Sequence, residues 1–144
     1  MVVVRTRRHH TWVMGLEATH RTITVLLVDD QAGVRRGLRM RLSREPDLVV
    51  VGEAEDSDGA INLASALLPD VVVLDVALPG QDGVGTAEVL QTVVPGSAVV
   101  MITLYDDTAT RARATAAGAR TLIGKHEPIP KLLEAIRAAA SLPT

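Results

Sequence analysis

Short β-branched runs alternate with stretches of helical periodicity along most of the chain, and this alternation constrains the fold more than any other feature. The runs fall at Ile23–Val28, Leu48–Gly52, Val71–Leu74, Ala98–Thr103 and Thr121–Ile123. After the first, Val34, Leu38 and Leu42 recur at i, i+4 and i+8, with Arg35, Arg36, Arg39, Arg41 and Arg44 on the other faces. "SDGAINLASALL" opens on Ser57 as a candidate N-cap, puts Ala60, Leu63, Ala64 and Leu67 on one side, and is stopped by Pro69. A third helix is predicted over Val84–Thr92, between "PGQDG" and "PG". "DDTATRARATAAG" starts on an aspartate and ends on Gly118, as a helix with glycine just past its end would. The last helix, about Pro130–Ser141, is amphipathic through Leu132, Leu133, Ile136 and Ala140. Five strands alternating with five helices predict an open, mostly parallel α/β sheet with right-handed crossovers and helices on both faces. Apolar residues make up 47% of the chain but aromatics only 1%, so the core must be built from Val, Leu, Ile and Ala.

The 144 residues suffice for one domain. A net charge of −2 gives no global basic field for nucleic acid or an acidic membrane. The absence of cysteine excludes a disulfide framework and a thiolate site. No apolar run approaches the ~18 residues of a membrane span, and "MVVVRTRRHHTWVMGL" has no continuous apolar segment of the kind a signal peptide needs. A soluble, cytoplasmic protein with no membrane partner is expected. Residues 1–21 read as a basic extension outside the core, which is taken as residues 22–141. Arg5, Arg7, Arg8, His9 and His10 could contact phosphates, but no aromatic stacking set accompanies them, so nucleic-acid binding is not expected from this chain.

In such a sheet ligands bind beyond the carboxyl ends of the strands. The first predicted strand ends at Asp29 and Asp30, the third at Asp75, the fourth at Thr103, and the fifth is followed by Lys125. Taken singly, each has an ordinary structural role. Asp30 could cap the next helix, Asp75 a loop, Thr103 is a good strand former, and Lys125 could be a solvated lysine. Together they converge on one spot. Carboxylates ~5 Å apart repel by about 3 kcal/mol per pair at an effective dielectric near 20. A hard divalent cation relieves that repulsion, and an all-oxygen cluster suits Mg²⁺ or Mn²⁺. A threonine hydroxyl and a lysine ammonium suit the oxygens of a phosphoryl group, toward which one carboxylate could act as nucleophile.

"VLLVDDQ", "PDVVVLDVALPGQDG", "VVMITLYDD" and "AAGARTLIGK" resemble the receiver domain of two-component response regulators, and "EPDLVVVGEAEDSDGAINLA" resembles its NarL/FixJ (LuxR-type) branch. The resemblance covers residues 22–141. It implies a flavodoxin-like fold with strand order 2-1-3-4-5. It also implies that Asp75 accepts a phosphoryl group from a sensor histidine kinase. Asp30 and Asp75 would ligate Mg²⁺ directly, Asp29 mainly through water, and the carbonyl of Ala77 would be a third protein ligand. Thr103 would turn toward the phosphate and Lys125 would pair with it. Pro79 and Gly83 match the loop after the acceptor, where a fixed φ and a flexible residue shape the turn. Three positions depart from the family: Leu122 replaces an aromatic whose rotation reports phosphorylation, His126 replaces a proline, and Leu104 is bulkier than usual.

The implied function is a non-enzymatic phosphoacceptor switch that controls a downstream protein partner or a homodimer. The chain ends at "SLPT", without residues for a helix-turn-helix domain, so a stand-alone receiver is expected. The alternatives are the receiver portion of a DNA-binding LuxR-type regulator and a phosphorylation-independent interaction module. An aspartate-nucleophile phosphohydrolase would need an acid/base two residues after the nucleophile, where this chain has Ala77.

Overall fold

The computed structural model describes residues 2–5, 11–14 and 19–141, with side chains from residue 22. The elements run β1 (Val2–Arg5), β2 (Thr11–Met14), β3 (Thr19–Val28), α1 (Ala32–Leu42), β4 (Leu48–Ala54), α2 (Ser57–Leu67) and β5 (Val71–Asp75). They continue with α3 (Gly83–Val93), β6 (Ala98–Thr103), α4 (Thr108–Ala116), β7 (Thr121–Gly124) and α5 (Ile129–Ser141). All strands join one sheet, in which β4, β3, β5, β6 and β7 are parallel and adjacent in that order. This is the doubly wound 2-1-3-4-5 arrangement, a flavodoxin-like fold.

Hydrophobic alternation along the strands divides the core into two layers. Leu26, Val28, Val72, Leu74, Val99 and Met101 face α2, α3 and α4 through Ala60, Ala64, Ala87, Leu90 and Ala114. Val25, Leu27, Val71, Val73, Val100 and Ile102 face α1 and α5 through Leu42, Leu132, Leu133 and Ile136. Both faces are covered, which is why these strands read as unbroken apolar runs. Each fully buried Leu or Val contributes about 1.5–3 kcal/mol.

Local signals explain most of the element ends. Asp107 caps α4 by accepting from the Thr110 amide at 2.7 Å, and Gly118 beyond that helix has φ +96°. Ser57 is not the cap of α2, as the sequence suggests. Asp56 takes that place, accepting from Gly59 N at 2.7 Å. The buried Ser57 hydroxyl instead bonds Thr86 Oγ1 at 2.8 Å and Gln81 Oε1 at 3.2 Å, tying the start of α2 to α3. At the amino end of the sheet, Asp70 Oδ2 accepts from Thr24 N at 2.8 Å and aligns β5 with β3.

The first parallel strand is longer than its apolar run. β3 begins at Thr19, and its first residues pair antiparallel with β2, which pairs antiparallel with β1. The boundary expected near residue 22 therefore falls inside β3. Arg7, Arg8, His9 and His10 lie outside the described residues. Among the described residues no helix is long and apolar enough to cross a membrane.

Candidate functional site

Register brings the chemically distinctive residues to one end of the sheet. Val28 is level with Leu74, Asp75 with Ile102, and Thr103 with Gly124. Asp29 and Lys125, one residue past the ends of β3 and β7, therefore flank Asp75 from both sides. Backbone bonds hold these exits: Asp29 N donates to Ala54 O at 3.1 Å, Val76 N to Ile102 O at 3.0 Å, and Lys125 N to Thr103 O at 2.6 Å.

One carboxylate oxygen from each of Asp29, Asp30 and Asp75 lies within 4.8 Å of the others. Asp29 and Asp75 are buried, whereas Asp30 is exposed. Lys125 Nζ is 2.8 Å from Asp29 Oδ2 and 2.8 Å from Asp75 Oδ2. Asp29 Oδ1 accepts from Gln31 N at 2.9 Å, and Asp75 Oδ1 from Ala77 N at 3.1 Å. The capping role open to Asp30 is not taken up: α1 begins after Gln31, with no side-chain cap. Its carboxylate is free of helix duty.

Burial pushes the Asp75 carboxyl above its ordinary range, and the nearby Asp29 charge adds to this, while Lys125 and the Ala77 amide oppose it. Burial would lower the Lys125 ammonium, but its bonds to Asp29 and Asp75 overcome that and raise it. Three carboxylates against one ammonium leave a formal charge of −2 in a mostly buried cluster. Hard oxygen donors with a negative excess could hold a divalent metal ion.

Thr103 is buried at the same end, but its hydroxyl accepts from Tyr105 N at 3.0 Å and does not bond Asp75. Leu122 is buried in the α2–α3–α4 layer, and Tyr105 is 75% exposed. Leu104 and Lys125 line a cavity of about 200 Å³ with Val34, Leu38, Ile123 and Ile129.

Two features of the site escape sequence reasoning. Gly83 does not supply a left-handed turn; among the described residues the glycines with positive φ are Gly80 and Gly118. Gly83 is required by space. A Cβ there would overlap the Asp75 carbonyl oxygen and stand 2.7 Å from Val76 Cα. The second is Arg35, whose Nη1 donates to the backbone carbonyl of Asp29 at 2.5 Å. It reads in the sequence as one more polar face of α1.

An acidic trio at the carboxyl end of a 2-1-3-4-5 sheet, bridged by a lysine from the last strand, defines a receiver-type α/β domain. The chain belongs to the response regulator receiver domain family, whose model matches residues 25–137. It is 33% identical over 118 residues to the transcriptional regulatory protein LiaR of Bacillus subtilis, covering 82% of this chain and 56% of LiaR. It is 32% identical over 118 residues to the nitrate/nitrite response regulator protein NarL of Escherichia coli, covering 82% and 55%. The receiver domain of the putative response regulator NarL from Mycobacterium tuberculosis superposes with a TM-score of 0.79 at 31% identity, covering 83% of this chain and 96% of that one. The relatives are NarL/LuxR-type regulators, and the chain spans about half their length.

Proposed function

We propose that the protein is a phosphorylation switch in which Asp75 accepts a phosphoryl group from the phosphohistidine of a sensor kinase. The observation that carries this reading is Lys125 bridging Asp29 and Asp75, with the exposed Asp30 carboxylate alongside. Asp30 and Asp75, with the Ala77 carbonyl, would hold Mg²⁺ (or Mn²⁺), and Asp29 would act mainly through water. When bound, the ion would neutralise the phosphoryl oxygens. An Asp75 carboxylate oxygen attacks phosphorus. The new O–P bond forms as the P–N bond to the kinase imidazole breaks, and the bonding pair leaves with that nitrogen. Lys125 then exchanges its carboxylate partner for a phosphoryl oxygen, and the Thr103 hydroxyl leaves Tyr105 N to donate to another.

The transferred group brings about −1.5 to −2 charges to one end of the sheet. Loss of the Thr103–Tyr105 bond would release the loop into α4, so the change would be read on the α4–β7–α5 face by a protein partner or a second copy. Leu122 has no aromatic ring to rotate, so release of the loop fits this chain better than aromatic rotation. The same switch would serve a stand-alone cytoplasmic receiver or the receiver portion of a DNA-binding regulator such as the relatives' names describe. Two residues past Asp75 the chain has Ala77, which carries no acid or base to drive rapid turnover, and this supports the role of acceptor.

Intact-mass measurement after incubation with acetyl phosphate and Mg²⁺ tests the proposal. One added phosphoryl group is expected, absent in Asp75→Asn and in EDTA. If neither acetyl phosphate nor phosphorylated kinases modify the wild type, the protein is an interaction module that works without phosphorylation.

A further inference from the structure

We infer that Arg35 is a positioning residue for the metal site, holding the Asp29–Asp30 peptide so that the Asp30 carboxylate faces Asp75. The inference rests on the metal-site reading above.

Asp29 and Asp30 follow the last residue of β3, where the sheet no longer dictates backbone direction. The Asp29 amide is tied to Ala54 O, and its side chain to Gln31 N and Lys125. The remaining polar group, the Asp29 carbonyl, belongs to the peptide unit that leads into Asp30. Arg35 Nη1 donates to that carbonyl at 2.5 Å, while Nε of the same guanidinium donates to Glu53 Oε1 at 3.2 Å. Glu53 sits on β4, and its other carboxylate oxygen is bonded by Arg39, one helical turn beyond Arg35. The Arg35 side chain is only 16% exposed, so it is packed into place and does not sample solvent freely. A planar guanidinium gripped at one edge by a strand can orient a carbonyl at another edge. Lysine, a compact charge with freely rotating donors, lacks the rigid fork that fixes one partner's direction against the other.

Among the described residues the exposed Asp30 has no helix cap or ion pair to fix its direction. Orientation of its peptide is therefore what aims its carboxylate. Groups that orient metal ligands in this way commonly matter by about 10–100-fold in metal affinity. Charge alone predicts the opposite sign, because removing a cation near the site would tighten binding of another.

The test is Mg²⁺ titration by calorimetry on the full chain, for wild type, Arg35→Ala, Arg35→Lys, Arg39→Ala and Asp30→Asn, with thermal melts of each in EDTA. The expected result is a Kd about ten-fold or more weaker for Arg35→Ala and intermediate for Arg35→Lys. Arg39→Ala, which loses the same Glu53 partner without touching Asp29, should bind Mg²⁺ as wild type does. An unchanged or tighter Kd in Arg35→Ala, or equal weakening in Arg39→Ala, overturns the inference. Mg²⁺ binding that survives Asp30→Asn instead overturns the metal-site reading, and the inference falls with it.

Discussion

Lys125 Nζ lies 2.8 Å from Asp75 Oδ2, joining residues 50 positions apart in the chain. The bond crosses the end of β6, so it exists only when β5, β6 and β7 are in register. It makes Lys125 the counterion of the buried Asp75 carboxylate.

Asp75→Asn is expected to abolish phosphoryl incorporation without unfolding the protein. Removing its charge relieves repulsion from Asp29 of about 3 kcal/mol, at ~5 Å and an effective dielectric near 20. It also loses a charge-assisted bond to Lys125 of about 2 kcal/mol, leaving a gain on the order of 1 kcal/mol. The Asp75 pKa is raised on folding, chiefly by burial. Its contribution to stability is thus full below the ordinary carboxylate value and lost as pH rises through the raised one. Urea melts in EDTA should show the mutant's advantage growing from pH 4 to pH 7; a mutant less stable than wild type at pH 7 would contradict this.

Mg²⁺ should stabilise the native state, by about 2.7 kcal/mol at a concentration 100 times its Kd. Asp30 is exposed, so solvent screens its repulsion with Asp29 and Asp75, and Asn at this position should raise metal-free stability by no more than about 1 kcal/mol while removing most of the Mg²⁺-dependent gain. Thermal melts across a Mg²⁺ series, with and without the substitution, measure both effects.

Gly83→Ala should be severe. Its Cβ would meet the backbone of Asp75 and Val76, which cannot yield without moving the Asp75 carboxylate, so a loss of about 3 kcal/mol is expected, and on the proposed function slower phosphorylation. Gly80→Ala has open space and meets only the penalty of φ +80°, about 1 kcal/mol. Denaturant midpoints of the two variants should differ accordingly.

Arg137 on α5 reaches Asp47, just before β4, at 2.8 Å and Glu45 at 2.7 Å. Its hydrogen bond is the main reason the Asp47 carboxyl is held below its ordinary 3.8. A lowered folded pKa means the pair stabilises fully above the ordinary value and loses that contribution as pH falls through the lowered one. Both side chains are more than a third exposed, so solvent screening limits the effect to about 0.5–1 kcal/mol. Arg137→Ala should lower stability by that amount at pH 7, with the difference shrinking in 1 M salt and vanishing in strong acid.

The path from strand ends to candidate site was short because it depends on chain order. Period-two and period-3.6 patterns set five strands and five helices in sequence, and a doubly wound sheet puts every strand's carboxyl end on one side. Asp29, Asp30, Asp75, Thr103 and Lys125 could therefore be named before any contact was known. Helix caps were less legible, because Asp56 and Ser57 are both good caps and their neighbours decide: packing against Thr86 took Ser57 into the helix.

Sequence alone determined the order of the five parallel strands and five helices, the two-faced core and which residues could meet, but not the antiparallel β1 and β2, since the former follow from local periodicity and the position of charges at strand ends. Tertiary structure alone decided that Lys125 bridges two carboxylates, that Thr103 turns to Tyr105, that Arg35 grips the Asp29 carbonyl and that Gly83 has no room for a Cβ. The reason is physical. Side-chain direction and backbone clearance depend on distances between segments tens of residues apart, and no local pattern carries them.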